Sequence, residues 1–167
     1  MAKGRAELMA FLDGLGIETQ TVEHPPLFTV AESQDLRGEL PGGHTKNLFL
    51  KDKKGAVFLV VAEEEAAIDM KTLHKRIGSA RLSFGKPELL FELLGVVPGS
   101  VTPFAIINDE AGAVAVILDE PLLSHEQLNF HPLENTATTR IARADLLAFL
   151  KAAGHAPQVL AVSGEDA

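Results

Sequence analysis

The sequence predicts an α+β domain, built on a mixed, mostly antiparallel sheet flanked by helices. Three observations lead there. Short apolar, β-rich runs come in pairs around turn residues, as hairpins do. Between them lie segments with apolar residues at helical spacing and recognisable helix ends. A chain of 167 residues with 46% hydrophobic content suits one domain with its own core. No repeat, low-complexity tract or linker divides it, so residues 1–167 are read as a single domain.

Along the chain, Leu8, Phe11, Leu12 and Leu15 recur at helical spacing, and Gly14 and Gly16 stop that helix. Residues Ile17 to Glu23 alternate as a strand does, until His24-Pro25-Pro26 breaks the ladder. Thr29 followed by Glu32 has capping-box spacing, so a second helix is expected from there to about Leu40, placed between prolines and glycines as a lid would be. Asn47 to Lys51 and Ala56 to Val61 read as a hairpin turning at Lys53-Lys54-Gly55. Asp69 is a good N-cap for a helix bearing Met70, Leu73 and Ile77 and ended by Gly78. A strand is expected at Ala80 to Phe84, then a helix with Pro87 at its first position and Gly95 as terminator. Phe104 to Asn108 and Ala113 to Leu118 have the pattern of another hairpin. Leu128 to His131 and Thr136 to Ile141 follow as two more strands. A final helix carries Leu146, Leu147 and Leu150 and is closed by Gly154, before a last strand at Gln158 to Val162.

Composition narrows the chemistry. There is no cysteine, which excludes disulfides and thiolate metal sites. No apolar run approaches the roughly 20 residues of a membrane span, and Met1 to Leu15 lacks a secretory apolar core. A cytoplasmic protein with no membrane partner is expected. The histidines His24, His44, His74, His125, His131 and His155 show no compact metal-binding spacing. There is no nucleophile elbow, phosphate loop or dinucleotide fingerprint. These absences weaken metallohydrolase, serine hydrolase, nucleotide hydrolase and dehydrogenase readings, and leave open sites assembled from distant residues.

Net charge is −8, yet it is unevenly spread. Residues 45–86 hold nine of the fifteen lysines and arginines: Lys46, Lys51, Lys53, Lys54, Lys71, Lys75, Arg76, Arg81 and Lys86. From Lys71 to Lys86 there is no acid at all. One basic face on an acidic body suits a phosphate backbone. On charge alone a solvated helix face plus a charged hairpin tip is the reading that comes first.

Three stretches are chemically unusual for a simple core. Gly42-Gly43-His44-Thr45-Lys46-Asn47 puts a lysine and an asparagine at the mouth of an apolar strand. Gly95 to Phe104 is a glycine- and proline-rich loop. Asn129-Phe130-His131-Pro132-Leu133-Glu134-Asn135-Thr136-Ala137-Thr138-Thr139 concentrates Asn, His and Thr between two strands.

These stretches carry a resemblance from about Leu8 to Val162. The runs T-K-N-L-F-L-K-D and R-L-S-F-G-K-P-E-L-L, the G-x-x-x-P loop at Gly99 to Pro103, and N-F-H-P-L-E-N-T-A-T-T occur in order and at family-like spacing. Together they resemble the YbaK and prolyl-tRNA synthetase-associated editing domains, and most of all the free-standing alanyl-tRNA(Pro) deacylases among them. Glu134 departs from the pattern, which usually has Thr or a similar residue there.

The resemblance implies a partly barrel-like sheet and a hydrolase of the ester joining an amino acid to the tRNA 3′ end, without metal or covalent nucleophile. It places Lys46 near the ester and terminal adenosine, with Asn47 and His131 lining the same pocket as catalytic candidates. Gly99, Ser100, Val101, Thr102 and Pro103 shape the pocket and offer backbone amides. Phe130, Ala137 and Thr138 are further substrate-binding candidates; Gly99 and Ala137, with Phe130 or Leu133 nearby, are candidates for a size limit. Lys51 and Arg81 are candidates for tRNA contact. The implied partner is tRNA(Pro) carrying alanine, with transient encounters with prolyl-tRNA synthetase, and a single compact domain suits a monomer. Hydrolysis of Cys-tRNA(Pro), a non-catalytic aminoacyl-tRNA binding module and a small-molecule ester or amide hydrolase are the competing readings.

Overall fold

The computed structural model describes residues 2–26 and 42–164. The expected helix from Thr29 to Leu40, and its reading as a lid, lie outside them. Helix α1 (Arg5–Gly14) turns Leu8 and Leu12 into the core from one face, and the chain reverses at Gly16. Strand β1 (Thr19–Glu23) follows. Next come β2 (Gly43–Asp52) and β3 (Val57–Glu63), a hairpin whose turn is held by the buried carboxylate of Asp52. Its Oδ1 accepts the Lys54 and Ala56 N–H groups at 2.9 and 2.8 Å, while Oδ2 accepts the Ala80 N–H at 3.2 Å. One acid thus ties the hairpin tip to the segment that enters β4.

Asp69 Oδ1 accepts the Lys71 N–H as expected of a cap, but the regular helix α2 (Leu73–Ile77) starts only after that turn. Strand β4 (Leu82–Phe84) leads to α3 (Pro87–Leu94), which has Pro87 in its first turn and Gly95 in the left-handed region after its end. Later come β5 (Val114–Asp119), β6 (Gln127–Phe130), β7 (Ala137–Ala142), α4 (Arg143–Ala152) and β8 (Gln158–Leu160).

One expected strand is absent. Residues Pro103–Asn108 form a 3-10 helix, not a strand, and there is no hairpin across Asp109 to Gly112. Pro103 has no N–H and sits in the first turn, while the Thr102 hydroxyl accepts the Phe104 N–H. The five buried residues from Pro103 to Ile107 are apolar on every side. A short run of that kind does not distinguish a buried strand from a buried helical turn.

The strands form one mixed sheet in the order β1-β7-β6-β2-β3-β5-β8, with β4 also pairing with β2. Pairs β1–β7, β6–β7, β2–β3 and β2–β4 are antiparallel; β2–β6, β3–β5 and β5–β8 are parallel. The path is open, ending at β1 and β8. Among the described residues no helix is long and apolar enough to cross a membrane.

Apolar cores form on both faces of the sheet. The larger joins Leu8 and Leu12 of α1, Leu90 and Leu94 of α3, Phe149 of α4 and the 3-10 helix to Phe49, Leu59 and Val61. The smaller gathers Leu50, Val60, Leu73, Ile117 and Val162. Within the larger core Phe104 lies edge-on to both Phe130 and Phe149, with ring centroids 5.7 and 5.5 Å apart, and Phe149 is edge-on to Phe11. This aromatic ladder locks the end of the Gly95 to Phe104 loop to β6.

Asp109, just after the 3-10 helix, accepts the Ala113 and Val114 N–H groups and hydrogen-bonds His155 Nε2 at 2.8 Å. Both side chains are buried. Burial pushes the Asp109 carboxyl up, but His155 and the two amides outweigh it and hold it below the usual carboxylate range. Its stabilisation is therefore present at neutral pH and is lost as pH falls through the lowered value. Asp109→Ala leaves three donors unpaired and is expected to cost about 3 kcal/mol or more, read as a lowered urea midpoint at pH 7, with the gap from wild type narrowing in acid.

Candidate functional site

The site is organised by the way β2 shares its edges. One edge pairs with β3 from Thr45 to Lys51. The opposite edge pairs with β6 only at Gly43 and His44, and with β4 only from Leu50 to Asp52. Between them β2 carries no strand partner on that edge among the described residues. Gly42 and Gly43 permit the approach of β6: a Cβ on Gly43 would lie 2.8 Å from the His125 ring, and one on Gly42 would lie 2.8 Å from the Gln127 carbonyl. Beyond Asn129 the two strands part. The Thr45 hydroxyl donates to the Asn129 carbonyl at 2.8 Å, and Asn129 Nδ2 donates to the Gly43 carbonyl at 3.3 Å, so the fork is pinned where it opens.

The register brings expected residues together here. Gly43 faces Leu128 and His44 faces Asn129. Lys46 lies two residues beyond His44 on the same face of β2, and His131 lies two residues beyond Asn129, just past the end of β6. Val22 of β1 faces Thr138, and His24, two residues on, hydrogen-bonds the Thr138 hydroxyl through Nε2 at 2.8 Å. Lys46 Nζ donates to the Ala66 carbonyl. An ammonium has three donors, so two remain for a ligand oxygen.

Asn47 does not share that face. The β2–β3 ladder runs without a bulge from Thr45 to Lys51, so successive side chains leave on opposite sides. Asn47 goes with Phe49 toward the larger core, whereas Lys46 goes with Leu48 and Leu50 toward the smaller one. Asn47 and Lys46 therefore leave β2 on opposite sides of the strand, beside its open edge. Asn47 Nδ2 donates to the Thr45 hydroxyl at 3.4 Å, and its buried Oδ1 has no partner among the described residues.

The imidazoles have defined tautomers. His131 Nδ1 lies 2.9 Å from the Ala137 carbonyl, which only accepts, so Nδ1 donates and Nε2 carries the lone pair in the neutral ring. His24 Nδ1 likewise donates to the Pro25 carbonyl at 2.8 Å, so its neutral Nε2 accepts the Thr138 hydroxyl proton. The two rings are 6.3 Å apart. Burial pushes the His131 pKa down, the Ala137 bond opposes this, and repulsion from His24 adds to the lowering. The neutral, hydrogen-bond-accepting form is favoured.

The remaining expected pocket residues fall into two groups. Gly99 is exposed, with φ of 95°, and a Cβ there would lie 3.7 Å from the Asn135 amide nitrogen, so this loop reaches the loop that carries His131. Val101 packs against the larger core. The Ser100 N–H is already donated to Val97 O, which removes it from the amides free for a ligand. Ser100, Thr102 and Pro103 are buried. Phe130 and Ala137 are also buried; the Phe130 ring belongs to the aromatic ladder, and the Ala137 carbonyl accepts from His131 Nδ1.

Lys51 and Arg81 are exposed on the β4 side of β2. Two clefts of about 380 and 350 Å³ lie there, the first lined by Lys51, Lys53 and Lys86, the second by Lys53, Lys71 and Arg81. Sequence reasoning missed His24 and Asn129. His24 reads as the end of a broken strand, and only the β1–β7 register shows that it reaches Thr138. The departing residue Glu134 accepts a 2.9 Å bond from Arg5, which also binds Glu23, tying α1 to the His131 loop.

Residues 24–149 match the aminoacyl-tRNA editing domain family. The chain belongs to that family and is an aminoacyl-tRNA editing domain related to prolyl-tRNA trans-editing proteins. It is 42% identical over 158 residues to the prolyl-tRNA synthetase associated domain-containing protein 1 of Danio rerio, covering 93% of this chain and 86% of the relative. It is 38% identical over 149 residues to the prolyl-tRNA editing protein ProX of Acetoanaerobium sticklandii, covering 89% and 91%. A crystal structure described as that of a proposed trans-editing enzyme for prolyl tRNA synthetase shares the fold, with a TM-score of 0.75 at 23% identity over 99% of this chain and 100% of that one.

Burial, with repulsion from His24 added, predicts the titration of His131. Its NMR midpoint is expected below the ordinary histidine range, and His24→Gln is expected to move it upward by removing the neighbouring imidazole's repulsion. An unshifted midpoint in both proteins contradicts the assigned environment.

Proposed function

We propose that this domain hydrolyses alanine from mischarged tRNA(Pro), by attack of water on the aminoacyl ester, with neither a metal nor a covalent enzyme nucleophile. The observation that supports the reading is the fork between β2 and β6, with the Lys46 ammonium on β2, one of its three donors used, and the neutral imidazole acceptor of His131 just past the end of β6. An aminoacyl ester is already activated, so positioning and electrostatics supply most of what is needed.

Water adds to the ester carbonyl carbon, and negative charge develops on its oxygen. Lys46 Nζ stabilises that oxygen, helped by the N–H groups of Gly99 or Val101. His131 Nε2 accepts a hydrogen bond from the attacking water or from the ribose hydroxyl beside the ester, and so orients the nucleophile. The bond to the ribose oxygen then breaks, that oxygen leaves with a proton, and free alanine departs. Asn47, through its unpartnered Oδ1, contacts the terminal adenosine across the strand edge. Thr138, held by His24, completes the polar wall. A synthetase pocket built for proline rejects alanine by only about 1–3 kcal/mol per missing methylene, and a second site too small for proline removes the error. Lys51 and Arg81 hold the acceptor stem, and prolyl-tRNA synthetase is met only transiently.

A deacylation panel tests this. Wild type is expected to hydrolyse Ala-tRNA(Pro) and to leave Pro-tRNA(Pro) intact, and Lys46→Ala is expected to slow the reaction by about 10²–10³. Hydrolysis of Cys-tRNA(Pro) alone selects the cysteine reading, tight binding without turnover selects a binding module, and equal cleavage of a small aminoacyl ester selects a small-molecule hydrolase.

Charge removal tests the stem contacts. Lys51→Ala and Arg81→Ala are each expected to weaken tRNA binding and to reduce the salt slope by about one. Unchanged slopes remove these residues from the interface.

A further inference from the structure

The acceptor-stem side of the domain has a feature that charge does not account for. Phe84, at the end of β4, is 62% exposed, the highest value among the exposed large apolar side chains of the described residues. It lines the same cleft of about 380 Å³ as Lys51, Lys53, Ser83 and Lys86. Strand β4 is held against β2 through Leu50–Phe84, Lys51–Ser83 and Asp52–Leu82, and the Gly85 N–H donates to the Phe49 carbonyl. A Cβ on Gly85 would lie 2.3 Å from the Phe49 ring, so glycine lets the backbone seat against that ring just beyond Phe84. The result is an exposed aromatic ring on a braced strand, in a cleft that Lys51, Lys53 and Lys86 also line.

We propose that Phe84 is a stacking platform for an RNA base, and that the base is the one where the unpaired aminoacyl tail meets the duplex. The assignment rests on the functional reading above and extends it to a specific base contact. Cations around an exposed ring match nucleic acid, whose phosphates meet the charges and whose bases offer π-faces.

The distance selects the base. Leu50 faces Phe84 and lies four residues beyond Lys46 on β2, on the same face. That separation is roughly 13 Å at the rise of an extended strand. A tail of about four unpaired nucleotides, stacked at ~3.4 Å each, spans about 14 Å. An ester held at Lys46 therefore sets the base at the junction over Phe84, with the duplex phosphates beyond it near Lys51, Lys53, Arg81 and Lys86.

The test measures binding of uncharged tRNA(Pro) to the whole protein. Phe84→Ala is expected to weaken affinity about tenfold, as loss of one aromatic stack does, with an unchanged salt slope. Phe84→Trp is expected to bind as wild type and Phe84→Leu as weakly as the alanine variant. Thermal unfolding confirms that each variant is folded. A tRNA made abasic at the junction position is expected to bind wild type about tenfold more weakly, with no further loss on Phe84→Ala, since both changes remove one contact. Wild-type affinity in Phe84→Ala overturns the assignment, and points to a protein partner if association with prolyl-tRNA synthetase is lost instead. Wild-type affinity in Phe84→Leu, or losses that add on the abasic tRNA, also overturn it. A wild type that deacylates Ala-tRNA(Pro) while Phe84→Ala binds normally sinks only this assignment; a wild type that leaves every aminoacyl-tRNA intact sinks the functional reading and this with it.

Discussion

A strand edge can pair with one neighbour at a time, and β2 divides its outer edge between two. The β6 ladder takes its first residues and the β4 ladder its last. The middle of that edge, from Thr45 to Phe49, must then satisfy itself otherwise, because buried unpaired backbone groups are costly. Here Phe49 O takes the Gly85 N–H and the Thr45 hydroxyl braces β6. The opening is thus built into the sheet rather than cut into its surface, and Lys46 lies on the stretch of β2 that it leaves unpaired.

Packing makes the fork rigid. Phe104 sits edge-on to both Phe130 and Phe149, which ties the 3-10 helix to β6 and α4. Hydrogen bonds to the Ala137 and Pro25 carbonyls set the tautomers of His131 and His24. The polar groups of the site are oriented by backbone carbonyls that belong to β7 and to the end of β1. Organisation before binding is what an electrostatic mechanism needs, since groups already aimed require little rearrangement when charge develops.

Acidic net charge and an RNA partner are compatible because the charges are segregated. The basic segment surrounds β4 and the end of β2, and its clefts open on the same side of β2 as the fork. Electrostatic attraction there acts over about a Debye length and does not depend on the total charge of the molecule. Arg5, in contrast, spends its charge on Glu23 and Glu134 and serves to hold α1 against the His131 loop.

Much of the fold was legible in the chain. Apolar spacing located α1, α3 and α4, glycines and prolines marked their ends, and alternation found the β2–β3 hairpin and the β6–β7 pair. The four family runs pointed to Lys46, Asn47, His131 and the Gly99 loop. Phe104 to Asn108 was misread because a short all-apolar run has no period to identify it. What the sequence by itself determined are features encoded within a few residues: caps, turns, periodicity, motif spacing and the uneven spread of charge. Only the tertiary structure decided which distant residues meet: that β2 and β6 part beyond His44 and Asn129, that Lys46 and Asn47 leave β2 on opposite faces, that His24 reaches Thr138, and that Phe84 stands exposed in a cleft lined by lysines. Those depend on strand register and on which edge each strand finds, and a shift of one residue in register reverses the face of every side chain.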